Sequence, residues 1–325
     1  MKPAKVGVIG TGHMGTYHVR TLSEIPNVEL TGVTDIDYHR AETIANQYGT
    51  TAYRDHKELF DKVEGVSIAV PTGLHYQVAK DCLEAGLHVL LEKPMTQNLE
   101  EAKELFDLAA SKQRILQIGH IERFNAAVQE LKNIVRNPIF IECRRLGPYS
   151  SNGRIKDSGV VLDLLIHDID IVLSLVNSRL ERINAAGASV YSNGHEDVVN
   201  VQLIFANGCI GNLTASRITE NKIRTLSITQ PDAYIYLDYA DQDLHIHRQA
   251  ASKYILSREV MRYKQESFIE RLFVHKDNPL KLELIHFINC FANGGRSRVS
   301  PEEELNSLGV TLKVLDLIKE GKGKL

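Results

Sequence analysis

A glycine motif near the N-terminus constrains the fold more than any other stretch of the chain. An apolar run at residues 6–9 leads into G-x-G-x-x-G, and a helix is expected over residues 16–25. In a dinucleotide-binding βαβ unit, the first glycine permits a tight turn, the second leaves room for a pyrophosphate, and the third lets the helix pack closely on the strand. The helix N-terminus adds free N–H groups for the phosphates. The residues predicted to bind a dinucleotide are Gly10, Thr11, Gly12, His13, Met14 and Gly15.

An acidic residue after the second expected strand, residues 28–34, indicates which dinucleotide binds. Asp35 stands where a carboxylate accepts hydrogen bonds from the ribose hydroxyls and repels a 2′-phosphate, so NAD is favoured over NADP. Arg40 leaves NADP open, because an arginine can hold a phosphate, although it could equally lie along the adenine face. The structural alternative for Asp35 is a turn or helix-cap residue.

Composition excludes several classes of function. The 325 residues have room for two domains, and a net charge of −3 without a basic block argues against nucleic-acid binding. The 4 cysteines lie far apart, which predicts neither a disulfide framework nor a zinc site, and His245 and His247 lack a third ligand nearby. The longest apolar segment, residues 159–176, carries four ionisable side chains and is not expected to span a membrane. The first strand begins almost at once, so we expect no signal peptide and a cytoplasmic protein.

Strand and helix patterns alternate through residue 121, which predicts an α/β domain with a doubly wound parallel sheet of the Rossmann type. Ligands bind at the carboxyl ends of the strands in such sheets. Pro71, Thr72 and His75 follow the buried strand at residues 66–70 and are expected to border the cofactor, although His75 could simply belong to the first turn of a helix.

The strand expected at residues 88–91 ends in Glu92-Lys93-Pro94. Proline biases the preceding residue toward extended backbone, so Lys93 is expected to project from the strand end, on the same edge as the glycine motif. Glu92 and Lys93 are therefore predicted to border the cofactor, and Lys93 to act on the substrate. A solvated loop charge is the alternative for Lys93.

The expected helix at residues 159–176 has a narrow polar stripe on an apolar body: Asp163, His167, Asp170 and Ser174. Buried ionisable groups must be paired or functional, so Asp163 and His167 form either a catalytic pair or a structural one. Alternating patterns then predict strands between residues 181 and 247, in a large, mainly antiparallel sheet, followed by helices at 280–291 and 301–319. We predict a dinucleotide-binding domain at 1–121 and an α+β domain at 122–325, whose last helix could pack back on the first domain.

An NAD site combined with a lysine and an Asp–His pair predicts hydride transfer to or from a secondary alcohol. His167 is a candidate general base, because an imidazole titrates near neutral pH. Lys93 would hold the same oxygen or act as the base itself, and the residues leave that choice open. Asp163 would orient the imidazole or bind a substrate hydroxyl.

The glycine motif, the stretch from Pro71 to His75, the Glu92-Lys93-Pro94 tripeptide and the segments at 119–125 and 157–167 resemble the Gfo/Idh/MocA family of sugar and polyol oxidoreductases. The resemblance implies the same roles for Lys93, Asp163 and His167. It also implies that the open face of the second sheet pairs with another subunit, giving a homodimer or homotetramer. Relatives that bind NAD without turnover would be expected to lose this constellation, so an enzyme is favoured over a regulator.

Two segments, 119–125 and 153–159, look most like those of family members that act on nucleotide-linked amino sugars such as UDP-N-acetylglucosamine. The resemblance implies that the 3-hydroxyl of the sugar is the group that reacts. Arg123, Tyr149 and Arg154 are the further candidates for substrate contact. Asp157-Ser158-Gly159 replaces the usual triple glycine and Ala126 replaces a frequent proline, so free sugars and inositol stay open as substrates.

Overall fold

The computed structural model describes residues 2–149, 158–192, 194–255 and 261–321. The chain divides into two compact units. Unit 1 comprises Met1–Phe124 and Asp277–Gly309, and unit 2 comprises Asn125–Lys276 and Val310–Leu325. The last helix contributes to both units, since the division falls within it.

Unit 1 is a six-stranded parallel sheet in the order β3-β2-β1-β4-β5-β6, which confirms the predicted Rossmann architecture. The strands are β1 (Ala4–Ile9), β2 (Val28–Thr34), β3 (Thr51–Tyr53), β4 (Gly65–Ile68), β5 (His88–Leu91) and β6 (Leu116–Ile118). The helices are α1 (His13–Glu24), α2 (Tyr38–Tyr48), α3 (His75–Glu84), α4 (Leu99–Ser111) and α7 (Pro279–Ala292). Helix α1 begins at His13 rather than at residue 16, because Gly12 serves as its N-cap and the glycine motif reaches into its first turn.

The core of unit 1 joins the first strands to helices from both ends of the chain. Val6 and Val8 of β1 pack with Leu22 of α1 and with Leu284 and Phe287 of α7. Helix α7 begins at a well-formed N-terminus, with Asn278 capping Leu280 and a proline in the first helical position.

Unit 2 is built on an eight-stranded sheet in the order β14-β13-β12-β11-β7-β10-β9-β8, in which only the β7–β10 pair is parallel among the described strands. This confirms the predicted large, mainly antiparallel sheet. The strands are β7 (Phe140–Leu146), β8 (Leu180–Ala188), β9 (Val198–Phe205), β10 (Ile210–Ser216), β11 (Ile223–Gln230), β12 (Ala233–Asp238), β13 (Asp243–Ile255) and β14 (Met261–Leu272). Helix α5 (Ala126–Ile134) belongs to this unit, and α8 (Pro301–Gly321) ends in it.

One face of this sheet packs on a hydrophobic core, and the alternate residues form the opposite, open face. Leu203 and Leu213 are fully buried in the core. Ile204 of β9, Ile210 of β10 and Phe140 of β7 lie next to one another across the open face.

The polar helix of unit 2 is not a regular α-helix, which corrects the expectation for residues 159–176. Val161–Leu165 forms a π turn, in which the Ile166 N–H donates to the Val161 carbonyl, and α6 (Ile166–Leu175) follows. Asp163 lies in the wide turn and His167 in α6, so the predicted regular α-helical stripe is interrupted. Single π turns inside helices are frequent at functional sites.

Candidate active site

The glycine motif meets the requirements of a dinucleotide site. Gly10 has φ +90°, and a Cβ there would lie 2.7 Å from the Ala69 carbonyl oxygen. A Cβ at Gly15 would lie 1.8 Å from the Gly10 carbonyl oxygen, so helix and strand pack too closely for any side chain. Gly12 differs from both, because a Cβ there would meet nothing within 4 Å and its φ is −64°. The fold itself does not require glycine at this position, whereas a pyrophosphate approaching the start of α1 would.

The start of α1 is open to an anion. Gly12 makes no side-chain cap, and the exposed His13 contacts Tyr17 edge-on, with ring centroids 4.9 Å apart. An uncapped helix N-terminus presents N–H groups and the positive end of the helix dipole to a phosphate.

Asp35 lies buried at the end of β2 and is held by several donors. Its carboxylate accepts hydrogen bonds from the Thr11 N–H (2.7 Å) and hydroxyl (3.0 Å), and from the Asp37 N–H. Arg40 completes the set with a bidentate pair at 2.7 and 3.2 Å. Burial alone would raise the pKa of Asp35, but these hydrogen bonds, Arg40 first, hold the pKa below its ordinary value. Asp35 therefore fixes the glycine loop and stays ionised, which bears out its structural role, and its binding of the cofactor stays a prediction.

The strand register places the other unit 1 candidates on the edge that carries the glycine motif. Ile9 of β1 pairs with Ile68 of β4, and Ile68 pairs with Leu91 of β5, so the three parallel strands end level with one another. Lys93 follows β5 by two residues, is partly exposed, and precedes a cis peptide bond to Pro94.

A buried network that the sequence patterns do not indicate supports this strand end. His18 of α1 contacts Ser67 through Nδ1 (2.6 Å) and the Glu92 carboxylate through Nε2 (3.0 Å). The other oxygen of Glu92 accepts the Lys93 N–H at 3.3 Å. Burial opposes ionisation of Glu92, but the His18 hydrogen bond, with His18 and Lys93 as neighbouring charges, holds its pKa below the ordinary value. Glu92 is therefore a carboxylate that fixes the backbone of Lys93.

His75 joins the loops after β4 and β5. The ring is buried, with Nδ1 2.8 Å from the Pro94 carbonyl oxygen and Nε2 2.9 Å from the Val70 carbonyl oxygen. Burial lowers its pKa, which favours the neutral ring. Pro71 is exposed and Thr72 half-buried in the short helical turn that precedes His75.

In unit 2 the two candidate catalytic residues differ in exposure. Asp163 is half-buried, and His167 keeps 9% of its surface exposed. The next residue, Asp168, is fully enclosed and accepts two hydrogen bonds from Arg145, both at 2.9 Å. This bidentate pair fixes the start of α6 on β7, and therefore the helix segment that carries His167. No local pattern indicates the pair, because Arg145 lies 23 residues away.

The substrate candidates outside this helix have different environments. Arg123 is buried in unit 1, with its guanidinium 3.7 Å from Glu303. Tyr149, which follows the strand that bears Arg145, is exposed. Arg154 lies outside the described residues.

Among the described residues, no group of three or more potential ligands could hold a metal ion. None of the described helices combines the length and the apolar character that crossing a bilayer requires.

A Rossmann sheet with this loop, this acidic strand end and this lysine defines the chain as a nicotinamide-dependent oxidoreductase. Family models agree: "Oxidoreductase family, NAD-binding Rossmann fold" matches residues 4–120, and "GFO/IDH/MocA C-terminal domain" matches residues 134–235. The chain belongs to the Gfo/Idh/MocA family, as the sequence motifs predicted.

Individual relatives are dehydrogenases acting on CH–OH groups. The UDP-N-acetylglucosamine 3-dehydrogenase of Acidithiobacillus ferrooxidans is 34% identical over 248 residues, which cover 76% of this chain and 78% of the relative. The myo-inositol 2-dehydrogenase of Thermotoga maritima is 28% identical, covering 66% of this chain and 68% of that protein. A solved structure of the Acidithiobacillus enzyme superposes with a TM-score of 0.88 at 30% identity, covering 98% of this chain and 99% of that one.

Proposed function

We propose that this chain is an NAD-dependent dehydrogenase that oxidises the 3-hydroxyl of a nucleotide-linked amino sugar such as UDP-N-acetylglucosamine. The observation that carries the proposal is Lys93, held by Glu92 at the end of β5 on the edge of the sheet that bears the glycine motif. The substrate class is supported by the similarity to the Acidithiobacillus dehydrogenase, which extends over both units.

The proposed chemistry divides between the cofactor and the protein. When bound, the nicotinamide supplies the acceptor for the hydride removed from the sugar carbon. Lys93 binds the reacting hydroxyl through Nζ and stabilises the negative charge that develops on its oxygen. His167 accepts the hydroxyl proton, and Asp163 binds or orients the groups beside it. Glu92 and His18 act through the backbone of Lys93 and do not touch the substrate.

The preference for NAD over NADP is also a proposal, and it is supported by Asp35. This carboxylate is held ionised, and Arg40, which could otherwise meet a 2′-phosphate, forms a bidentate pair with it. A 2′-phosphate brought to this strand end would meet a fixed negative charge.

The test is a dehydrogenase assay followed at the NADH absorbance. We expect UDP-N-acetylglucosamine to be oxidised faster than N-acetylglucosamine or myo-inositol, and NAD to give a higher kcat/KM than NADP. Lys93→Met should lower kcat by about 10²–10⁴-fold, because it removes a group that acts on the reacting oxygen. NADH binding, measured by calorimetry, should change little. Lys57→Met, which removes an exposed lysine in the same unit, is the matched control.

Each contrary result has a distinct meaning. Full turnover by Lys93→Met would refute the role of Lys93. Oxidation of myo-inositol but not of the nucleotide sugar would indicate that the substrate is an inositol, as for the inositol dehydrogenase relatives. Tight NADH binding without oxidation of any of these alcohols would favour a non-catalytic regulator.

We further infer that two copies associate through the open face of the unit 2 sheet. The apolar row of Ile204, Ile210 and Phe140 is only partly buried in this chain, and apolar surface left on an open sheet face commonly marks an interface. Sedimentation should give a dimer or tetramer, and Ile210→Asp should shift it toward the monomer.

A further inference from the structure

Two tyrosines from separate loops of unit 2 form an exposed aromatic pair. Tyr149 follows β7 and Tyr191 lies in the connection between β8 and β9, with ring centroids 4.7 Å apart and ring planes 51° apart. Tyr149 is 40% exposed and Tyr191 is 60% exposed, and the neighbouring Val190 is also exposed. Exposed aromatic side chains offer apolar ring surface that a planar ligand can cover.

The loop that carries Tyr191 is held by a buried carboxylate. Asp197 accepts hydrogen bonds from the N–H groups of Val190, Tyr191 and Ser192, at 2.7, 2.7 and 2.9 Å, and from the Ser192 hydroxyl. Arg217 donates to the second oxygen of Asp197 at 2.7 Å. Although burial alone would raise the pKa of Asp197, these hydrogen bonds, Ser192 first, hold it well below its ordinary value. The backbone that presents Tyr191 is therefore fixed.

The same anchor is tied to the entrance of the helix that carries Asp163 and His167. Arg217 also donates to the Ser158 carbonyl, and the carboxylate of Glu196 accepts the Val161 N–H at 3.0 Å. A Cβ at Gly159 would lie 1.8 Å from Glu196 Oε1, so this carboxylate lies directly against the chain that enters the π turn. These hydrogen bonds connect the loop that carries Tyr191 to the segment from Ser158 to Val161, where the helix begins.

The segment between β7 and Tyr149 is fixed by independent contacts. The Gly147 N–H donates to the Ser216 carbonyl at 2.9 Å, and the Thr219 N–H donates to the Gly147 carbonyl at 3.1 Å. Tyr149 follows two residues later, so hydrogen bonds hold the backbone that leads to it, as they hold the backbone at Tyr191. Rigidly held aromatic side chains lose little conformational entropy when a ligand stacks on them.

We propose that Tyr149 and Tyr191 form a stacking site for the nucleobase of the substrate. The inference rests on the proposed function, in which the sugar is the reacting end and belongs at Asp163 and His167. The nucleobase is the planar, aromatic part of a nucleotide sugar, and a free sugar or an inositol has no counterpart to it. Base–aromatic stacking depends on the π face and needs no specific hydrogen-bond donor. The pair therefore distinguishes nucleotide-linked substrates from free ones.

Tyr191→Ala and Tyr149→Ala test the site in two assays, and UDP is the probe in the first. We expect each variant to weaken UDP binding, measured by calorimetry, by about tenfold or more, the range that loss of one base-stacking ring gives. The KM for UDP-N-acetylglucosamine should rise by the same factor, with kcat within about twofold of the original. Tyr191→Phe keeps the ring and should behave like the unmodified chain. Val190→Ala removes neighbouring apolar surface but no aromatic ring, so it should leave UDP affinity and KM unchanged.

The outcomes separate the stacking site from the proposed reaction. Unchanged UDP affinity in both alanine variants, or no UDP binding by the unmodified chain, would overturn the stacking site even if the nucleotide sugar is oxidised. Weakened UDP binding in a chain that oxidises no sugar would support the stacking site and overturn the proposed reaction. N-acetylglucosamine 1-phosphate, which lacks the base, should bind equally to all variants, and a loss common to it and UDP would assign the tyrosines to the sugar or phosphate instead.

Discussion

The two units hold buried charge in different ways. In unit 2 the buried pairs are Arg145 with Asp168 and Arg217 with Asp197, both close and directional. In unit 1 a buried histidine pairs with a glutamate in His18–Glu92 and in His120–Glu304. Unit 1 also encloses a further carboxyl, Glu283, neither of whose oxygens accepts a hydrogen bond from the described residues.

The difference predicts how each unit responds to pH. An arginine stays protonated throughout the accessible range, so an Arg–Asp pair changes only when its aspartate is protonated in acid. Unit 1 differs because it encloses Glu283, whose pKa burial raises well above the ordinary value, so this carboxyl can lose its proton under milder conditions. The Glu92 carboxylate, which fixes the backbone of Lys93, contributes to this shift, so the unit with the proposed catalytic lysine is expected to be the more pH-sensitive one.

The largest expected effect comes from breaking an Arg–Asp pair of unit 2. Asp168→Ala leaves the guanidinium of Arg145 buried without its carboxylate, and such a change typically costs about 3–5 kcal/mol. We expect a lower urea midpoint, measured by circular dichroism, by an amount that varies little between pH 6 and 8.

A double variant decides whether the loss comes from the unpaired charge. Arg145→Met with Asp168→Leu removes both charges and keeps apolar volume, and replacement of a whole buried pair by apolar residues is often neutral. Stability should therefore return toward that of the unmodified chain. A double variant as unstable as Asp168→Ala would show that packing, and not the unpaired charge, accounts for the loss.

Most of the fold follows from local sequence patterns. The glycine motif, the alternation of strands and helices through unit 1, and the period-two segments of unit 2 predict the two kinds of sheet correctly. The patterns do not predict two strands, β7 and β14. Strand β7 carries Glu142, Arg144 and Arg145 in seven residues, and β14 is similarly rich in charge, so neither shows the apolar alternation of a half-buried strand. Pairing with neighbouring strands, and not local pattern, makes these segments extended.

The site is less predictable, because its supports connect distant residues. Gly10, Asp35 and Lys93 can be proposed from the sequence because each stands at a strand end beside a recognisable motif. His18 had no such signal, since its partners Ser67 and Glu92 lie 49 and 74 residues away. The sequence also does not indicate the π turn that interrupts the polar stripe. Asp163 and His167 are four residues apart whether the segment forms a regular α-helix or contains a π turn.

A smaller change in stability than that of Asp168→Ala is expected in unit 1, at Glu283 on α7. Burial raises its pKa well above the ordinary value, and the nearby Glu92 carboxylate raises it further, while His120 acts in the opposite direction. Glu283 is then protonated in the folded chain and ionised in the unfolded chain at any pH between its two pKa values. Folding therefore loses stability as the pH rises above about 4.3, the ordinary glutamate pKa, by up to about 1.4 kcal/mol per pH unit. Glu283→Gln, which cannot ionise, should remove this loss.

The measurement is the urea midpoint of both chains between pH 4 and 8. The two should be similar near pH 4, and the glutamine variant should become the more stable one as the pH rises, the reverse of the trend for a carboxylate held ionised such as Glu92. Glutamine has nearly the shape of the protonated carboxyl, so altered packing would add only a constant offset between the two curves. Curves that stay parallel over the whole range, with or without such an offset, would contradict the prediction and mean that Glu283 is ionised in the folded chain. The contrast between the two units would then lie only in their histidine and arginine pairs.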